Sequence, residues 1–267
     1  MKQKQYWIEF GIVLYLLALV AACGDDNGSI SSTDQQAGSG SINVWSYLNP
    51  SIKYGEFTDE RDGQVYKSVK IGEQTWMAQN LNYRYLQRTE LLDSSSFCYR
   101  NEPDSCKKYG RLYLWSAAVD SVGEFSKDGE GLGYDVFSNV KGDVRGICPE
   151  GWHLPSVDEF RTLIKFAGGY ESSFVLKARK GWEKDYFNGT DDYGFSLLGA
   201  GEFKGSSSYS AVGAYTEIWS SSQRDSKYSY KMQVYSNENI NLMHFQKNEG
   251  SSVRCIKNSD QESENLK

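Results

Sequence analysis

The chain has 267 residues, enough to bury the core of one substantial domain. Its 35 acidic and 29 basic side chains leave a net charge of −6 with no basic stripe, which excludes nucleic acid as a partner. Aromatic residues make up 14% of it on a Gly- and Ser-rich background; such rings mostly fill cores, and they also pack on the apolar faces of pyranoses.

Lys2 and Lys4 precede an apolar run of about 13 residues, from Phe10 to Ala22. That is short of the roughly 20 residues a membrane-spanning helix needs, and it ends in small residues as a secretory signal does. Leu19-Val20-Ala21-Ala22-Cys23 resembles a bacterial lipobox. The resemblance implies cleavage before Cys23 and acylation of its thiol and new amino terminus. It also implies an address in the cell envelope, lipid-anchored to the outer membrane and open to surface display. Several acyl chains anchor far more firmly than one. The polar run from Gly24 to about Ser41 has too little apolar surface to fold. The expected organisation is a signal peptide over 1–22, lipidated Cys23 and a flexible tether over 23–56, a folded domain over 57–257, and a disordered tail over 258–267.

Within the domain, Phe57 to Tyr83 reads as strands joined by tight turns. Asp62-Gly63 is a hairpin turn. Val65, Lys67, Val69 and Ile71 fall on one side of the next strand, and Gly72-Glu73 turns the chain again before Trp76-Met77. A short ordered piece over 109–115 leads into a small helix through Ala117, Ala118 and Val119, followed by a Gly- and Asp-rich loop over 123–146. Trp152 and Leu154 have the spacing of a short buried strand, which Pro155 stops. Ser156-x-x-Glu159 is a capping box that opens a helix running to about Ala167, with Phe160, Leu163, Ile164 and Ala167 on one face and Gly168-Gly169 at its end. A second helix is expected over 172–180, a strand over 195–203, and a Ser/Gly/Tyr loop over 204–214. Strands over 218–222, 228–235 and 253–256 make a late, mostly antiparallel sheet, and His244 lies between Met243 and Phe245 on a further strand.

Setting Cys23 aside leaves Cys98, Cys106, Cys148 and Cys255, an even number in an oxidising compartment. Two disulfides are expected, and sequence alone permits three connectivities. The favoured one joins Cys98 to Cys106 through Pro103 and Asp104, and Cys148 to Cys255, tying the Trp152 strand to the last strand. No C-x-x-C spacing supports a metal site.

Several segments carry a family likeness: Asp62-Gly63-Gln64-Val65-Tyr66, Trp76-Met77-Ala78-Gln79-Asn80-Leu81-Asn82-Tyr83, Tyr109-Gly110-Arg111-Leu112-Tyr113, and the stretch from Cys148 to Phe160. Gly194-Phe195-Ser196, Trp219-Ser220-Ser221-Ser222 and Ser252-Val253-Arg254-Cys255 extend it. Together they resemble the Fibrobacter succinogenes major paralogous domain over residues 58–257. That resemblance implies an exported protein, often a lipoprotein, of undefined biochemical role. The order of the later elements also resembles the C-type-lectin-like fold, which binding proteins share with sulfatase-modifying enzymes. The expected fold is therefore α+β, a C-type-lectin-like mixed domain with two helices and a mostly antiparallel sheet, preceded by a short β-hairpin region. Fold alone names no function.

Calcium-dependent lectins of that fold use a Glu-Pro-Asn-type loop and a Trp-Asn-Asp triplet. Here serines follow Trp219 and the preceding loop has no Glu-Pro-Asn, so that route is not expected. Asn188, Asp191 and Asp192 offer hard oxygens, but they sit beside Gly189 and Gly194 and read as a polar turn. His153 is locked between Trp152 and Leu154 as a scaffold residue. No H-E-x-x-H, G-x-S-x-G or triad spacing points to hydrolase or zinc chemistry, and no cofactor or metal is expected. The leading expectation is a non-catalytic binding or adhesion domain for polysaccharide or surface glycan. The C-type-lectin likeness places the ligand on the loop over 202–217, with Tyr209 and Tyr215 stacking and Glu202 and Glu217 accepting hydrogen bonds. The rivals are an enzyme, oxidative on cysteine-bearing peptides or hydrolytic on glycans, and a structural component of the envelope.

Overall fold

The computed structural model describes residues 43–87, 95–140, 142–205, 208–237 and 239–259. The expected signal peptide, the lipidation at Cys23, the tether up to residue 42, residues 206 and 207 and the tail from residue 260 lie outside the described residues. Among the described residues no helix is long and apolar enough to cross a membrane.

Three strands open the domain: β1 (Gly55–Asp59), β2 (Gln64–Ile71) and β3 (Gln74–Met77). The first turn closes at Gly63, whose φ of 73° suits glycine, and Gln64 N–H donates to Asp62 Oδ1 at 3.0 Å. β2 departs from the alternation its sequence suggests, because Tyr66, Val69 and Ile71 are its buried positions. Tyr66 packs in a core cluster with Trp152, whereas Val69 and Ile71 join a second one around Trp76. One strand thus serves two cores and shifts its inward face between them.

Then come β4 (Ser96–Phe97), α1 (Pro103–Tyr109), β5 (Leu112–Leu114) and α2 (Trp115–Ala118). Periodicity gives no sign of α1, which has seven residues and buries Cys106 alone. β6 (Trp152–His153) and α3 (Val157–Phe166) form where expected. Ser156 caps α3: its Oγ accepts from Glu159 N–H at 3.3 Å, and Glu159 Oε2 accepts from Ser156 N–H at 2.8 Å. Phe160 then stacks on Trp76 with ring centroids 5.7 Å apart.

The helix expected over 172–180 does not form. A single 3-10 turn, Ser173–Val175, precedes extended chain in which Lys177 bridges to Leu197. Phe174, Leu176 and Ala178 recur every second residue, the period of a strand, and Leu176 and Ala178 are fully buried. The strand expected over 195–203 shrinks to β7 (Glu202–Phe203), since positive φ at Ser196 and Gly201 interrupts it. β8 (Tyr209–Ser210), β9 (Tyr215–Gln223), β10 (Tyr228–Tyr235) and β11 (Ile240–Gln246) follow. The expected last strand divides into β12 (Gly250–Ser252) and β13 (Ile256–Lys257).

One sheet has the order β1-β2-β3-β13-β6 and is antiparallel throughout. The other runs β11-β10-β9-β12-β5-β4, with β7 on β12 and β8 on β7; β12 lies parallel to β9. Among the described residues the architecture is α+β, with three α-helices and mostly antiparallel sheets. Both expected disulfides form, Cys98–Cys106 and Cys148–Cys255, the second buried beside Trp115, Trp152 and Trp219.

Ordered structure is longer than the expected domain at both ends. Asn49 Nδ2 donates to the Asp191 carbonyl at 2.9 Å, Tyr54 Oη lies 3.1 Å from Ser196 Oγ, and Leu48 and Ile52 pack on the Trp76 cluster. These apolar side chains after residue 42 supply the burial that the Ser/Gly run before them lacks, so residues 43–56 belong to the fold. Asn258, expected in the tail, donates its N–H to the Gly151 carbonyl at 3.0 Å and pairs its side chain with His153.

Candidate functional site

The loop over 202–217 does not hold its expected side chains free for a ligand. Glu217 on β9 is fully buried; Oε2 accepts from Lys231 Nζ at 2.8 Å and Ser251 Oγ at 3.0 Å, and Oε1 from Gln233 Nε2 at 2.8 Å. Glu202 on β7 is also buried, accepting from Ser210 Oγ at 2.7 Å and pairing with Lys204 at 3.0 Å. Burial pushes its carboxyl up, but bonds from Tyr215, Ser210 and Lys204 hold it below the usual range. The Tyr215 hydroxyl is therefore engaged by Glu202, and burial and that carboxylate push it well up. The Tyr209 ring packs against Phe203 and Tyr99, with centroids 5.1 and 5.3 Å away, and its hydroxyl donates to Asn101 Oδ1. Glu202, Tyr215 and Glu217 come together, but as an internally satisfied network.

Glu202, Glu217 and Glu249 bring carboxylate oxygens within 4.8 Å of one another. Lys231, between Glu217 and Glu249, and Lys204 on Glu202 already supply the positive charge there. Asn188 and Asp191 are likewise committed: Asn188 Oδ1 accepts from Trp182 N–H, and the Asp191 carboxylate accepts from the Ser196 N–H and Oγ. They build a turn.

A cavity of about 280 Å³ opens instead between residues 44–48, the β2–β3 hairpin and the end of α1. It lies just under the roughly 300 Å³ at which ligand pockets begin, the scale of a single ring rather than a long groove. Trp45, Tyr47 and Tyr109 place rings in its wall, and Gln79, Asn80 and Asn82 place amides there. Trp45 is 38% exposed, and the Lys67 ammonium lies 4.3 Å from its ring centroid. Lys108 Nζ lies 5.2 and 4.6 Å from the Tyr47 and Tyr109 centroids. All three amides also tie the wall together: Asn80 Nδ2 donates to the Tyr109 carbonyl at 2.9 Å, Gln79 Oε1 accepts from Lys67 N–H at 3.0 Å, and Asn82 Nδ2 donates to Gln64 Oε1 at 2.9 Å.

Arg254 is also in the wall and is 1% exposed. Its Nε donates to Asn80 Oδ1 at 3.0 Å, one Nη donates to the Phe195 carbonyl, and the guanidinium lies 4.4 Å from the Phe195 ring centroid. Among the described residues its second Nη has no hydrogen-bond partner, and no carboxylate reaches it at ion-pair distance. Burial pulls the guanidinium down to about 9, while Asp191 and Tyr54 act on it at longer range.

Residues 69–257 match the Fibrobacter succinogenes major domain. The chain belongs to that family. No curated protein and no solved structure matches it. The matched span of the family domain includes Lys107, Lys108, Tyr109 and Arg254, but it starts after Trp45 and Tyr47. One side of the cavity thus comes from the family domain and the other from the segment preceding it.

Sequence reasoning places Trp45 and Tyr47 in the tether and Arg254 in a closing strand, and so misses the cavity. A signal does exist. Trp45-Ser46-Tyr47-Leu48 follows directly on a Ser/Gly run, and a solvated tether has no use for such an aromatic and apolar cluster.

Proposed function

We propose that this chain is a lipid-anchored protein of the bacterial cell envelope, held at the outer membrane through Cys23. Its domain binds polysaccharide or a surface glycan and performs no chemistry on it. The observation that carries the binding role is the cavity, whose wall holds Trp45, Tyr47 and Tyr109 beside Gln79, Asn80 and Asn82, residue types that suit the C–H face and the hydroxyls of a pyranose. The anchoring role rests on the lipobox-like residues from Leu19 to Cys23. A C-type-lectin-like fold is part of the same reading: α3, the loop over 202–217, the Trp219-bearing β9 and the Arg254-Cys255 segment keep the expected order, although the second of the two expected helices is absent. The ligand then sits in the cavity, because Glu202, Tyr209, Tyr215 and Glu217 are already engaged by protein partners. The oxidative rival needs two free thiols, and the pairing of Cys98, Cys106, Cys148 and Cys255 speaks against it.

The test is retention of the purified chain, from Gly24 onward, on insoluble cellulose, xylan and pectin and on a glycan array, with and without EDTA. Retention that Trp45→Ala or Tyr109→Ala weakens about tenfold, without a loss of folding, is the expected result. Failure to bind any glycan sinks the binding role. Retention that both variants leave unchanged moves the site away from the cavity.

A further inference from the structure

We propose that the cavity selects an acidic glycan, one whose uronate carboxylate pairs with Arg254. This rests on the reading of the cavity as a glycan site and adds the charge of its ligand.

The wall has a charge bias opposite to that of the chain. Acidic side chains outnumber basic ones 35 to 29 overall, yet the described wall carries Lys107, Lys108 and Arg254 and no Asp or Glu. A local excess of one sign in a concave site concentrates ligands of the other sign.

Arg254 is the sharper observation. A buried charge is ordinarily paired, because desolvation costs several kcal/mol per ion when nothing compensates it. Asn80 Oδ1 and the Phe195 carbonyl satisfy two nitrogens of the guanidinium but bring no negative charge. Asp191, the carboxylate acting on it at longer range, gives both its oxygens to Ser196 and is pushed up to about 7 by burial. It therefore compensates Arg254 poorly. What remains is a cation in a cavity wall, with one Nη unspent and a counter-charge missing. A carboxylate is the planar acceptor that a guanidinium matches best.

The lysines of α1 act at the mouth. Lys108 is positioned by the Tyr47 and Tyr109 rings, and Lys107 is tied to Asp104 at 2.9 Å by an exposed pair that is worth little. Both add positive field without closing the cavity. The three aromatic residues of the wall favour an acid carried on a sugar over a small free anion, which has no apolar face to pack on them.

The experiment titrates the full-length chain, purified in detergent, by calorimetry with four oligosaccharides: galacturonan, its neutral methyl ester, galactan and a sulfated galactan. Galacturonan is expected to bind at least about tenfold more tightly than the ester or galactan, the scale of one charge-assisted hydrogen bond. Rising NaCl is expected to erode that preference. The double variant Lys107→Gln/Lys108→Gln, which alters exposed or half-exposed side chains of α1, is expected to weaken galacturonan about threefold or more relative to galactan measured on the same variant. Arg254→Gln is expected to abolish the preference; if it fails to fold, the lysine variant still decides. Equal affinity for galacturonan and galactan overturns the acidic selectivity and leaves the glycan role standing. Sulfated galactan bound tightly, with galacturonan no better than galactan, overturns the carboxylate assignment. Binding of none of the four overturns both this inference and the reading beneath it.

Discussion

Lys231 Nζ lies 2.8 Å from Glu217 Oε2, and neither side chain is exposed to solvent. The pair crosses diagonally between β9 and β10, where Gln233 is the register partner of Glu217 and Trp219 that of Lys231. Glu249 is a second partner at 2.9 Å, and the ammonium lies 4.2 and 4.7 Å from the Trp219 and Phe245 ring centroids. This is a charge network internal to the late sheet.

Breaking such a pair from one side leaves an uncompensated buried charge. Glu217→Ala is therefore expected to cost about 3–5 kcal/mol in urea unfolding, and Glu217→Leu/Lys231→Met to regain most of it. An unfolding midpoint unchanged in Glu217→Ala, together with a loss of glycan affinity, would return the ligand to the loop over 202–217.

A second pair, a buried histidine with a half-buried carboxylate, sets a pH window. His153 Nε2 lies 2.8 Å from Glu159 Oε1, and Nδ1 lies 2.8 Å from Asn258 Oδ1. Burial pulls His153 down, but Glu159, Asn258 and Asp143 outweigh it and raise it above 6.5. Burial pushes Glu159 up, but His153 and Ser156 hold it below 4.5. The raised base contributes fully below 6.5 and loses its contribution as pH climbs through its folded value. The lowered acid contributes above 4.5 and loses it as pH falls. Stability is thus expected to decline as pH rises above about 6.5, with a slope that His153→Gln reduces. Identical slopes in the two proteins would contradict this account.

The two disulfides differ in loop length, with sequence separations of 8 and 107. In the chain-entropy picture the Cys148–Cys255 link is worth about 4.7 kcal/mol and Cys98–Cys106 about 2.5. Cys148→Ala/Cys255→Ala is therefore expected to lower Tm more than Cys98→Ala/Cys106→Ala. Thiol titration of the unfolded, unreduced protein should find none of the four free. Two reactive thiols would restore the oxidative enzyme.

Gly110 holds φ at 76° in the cavity wall, and a Cβ there would meet Asn80 Cβ at 2.7 Å and the Leu81 carbonyl at 2.8 Å. Gly110→Ala is expected to cost about 1–3 kcal/mol and to weaken glycan binding as the wall shifts. Full stability in that variant would mean that the wall yields freely.

Signals confined to a few neighbouring residues were legible. The Ser156–Glu159 capping box and the Asp62-Gly63 turn act within one element, so the chain declares them locally. The 172–180 segment was harder: its charges suggested a helix, while Phe174, Leu176 and Ala178 already carried a two-residue period that Leu197 completes from the opposite side. Glu217 shows the limit most plainly. Nothing beside it in β9 announces that Lys231, Gln233 and Ser251 will bury it.

By itself, then, the sequence determined the family likeness, the α+β class, the capped helix and the cysteines available for bridging, because each depends on residue type at short spacing. The tertiary structure alone decided which polar groups are spent and which are left over. The cavity draws its wall from residues 44, 45, 47, 48, 64–66, 78–80, 82, 106–110, 196, 198 and 254, separate stretches that only the fold brings together. Arg254 has no carboxylate at ion-pair distance there because desolvation and pairing are properties of a place in the fold.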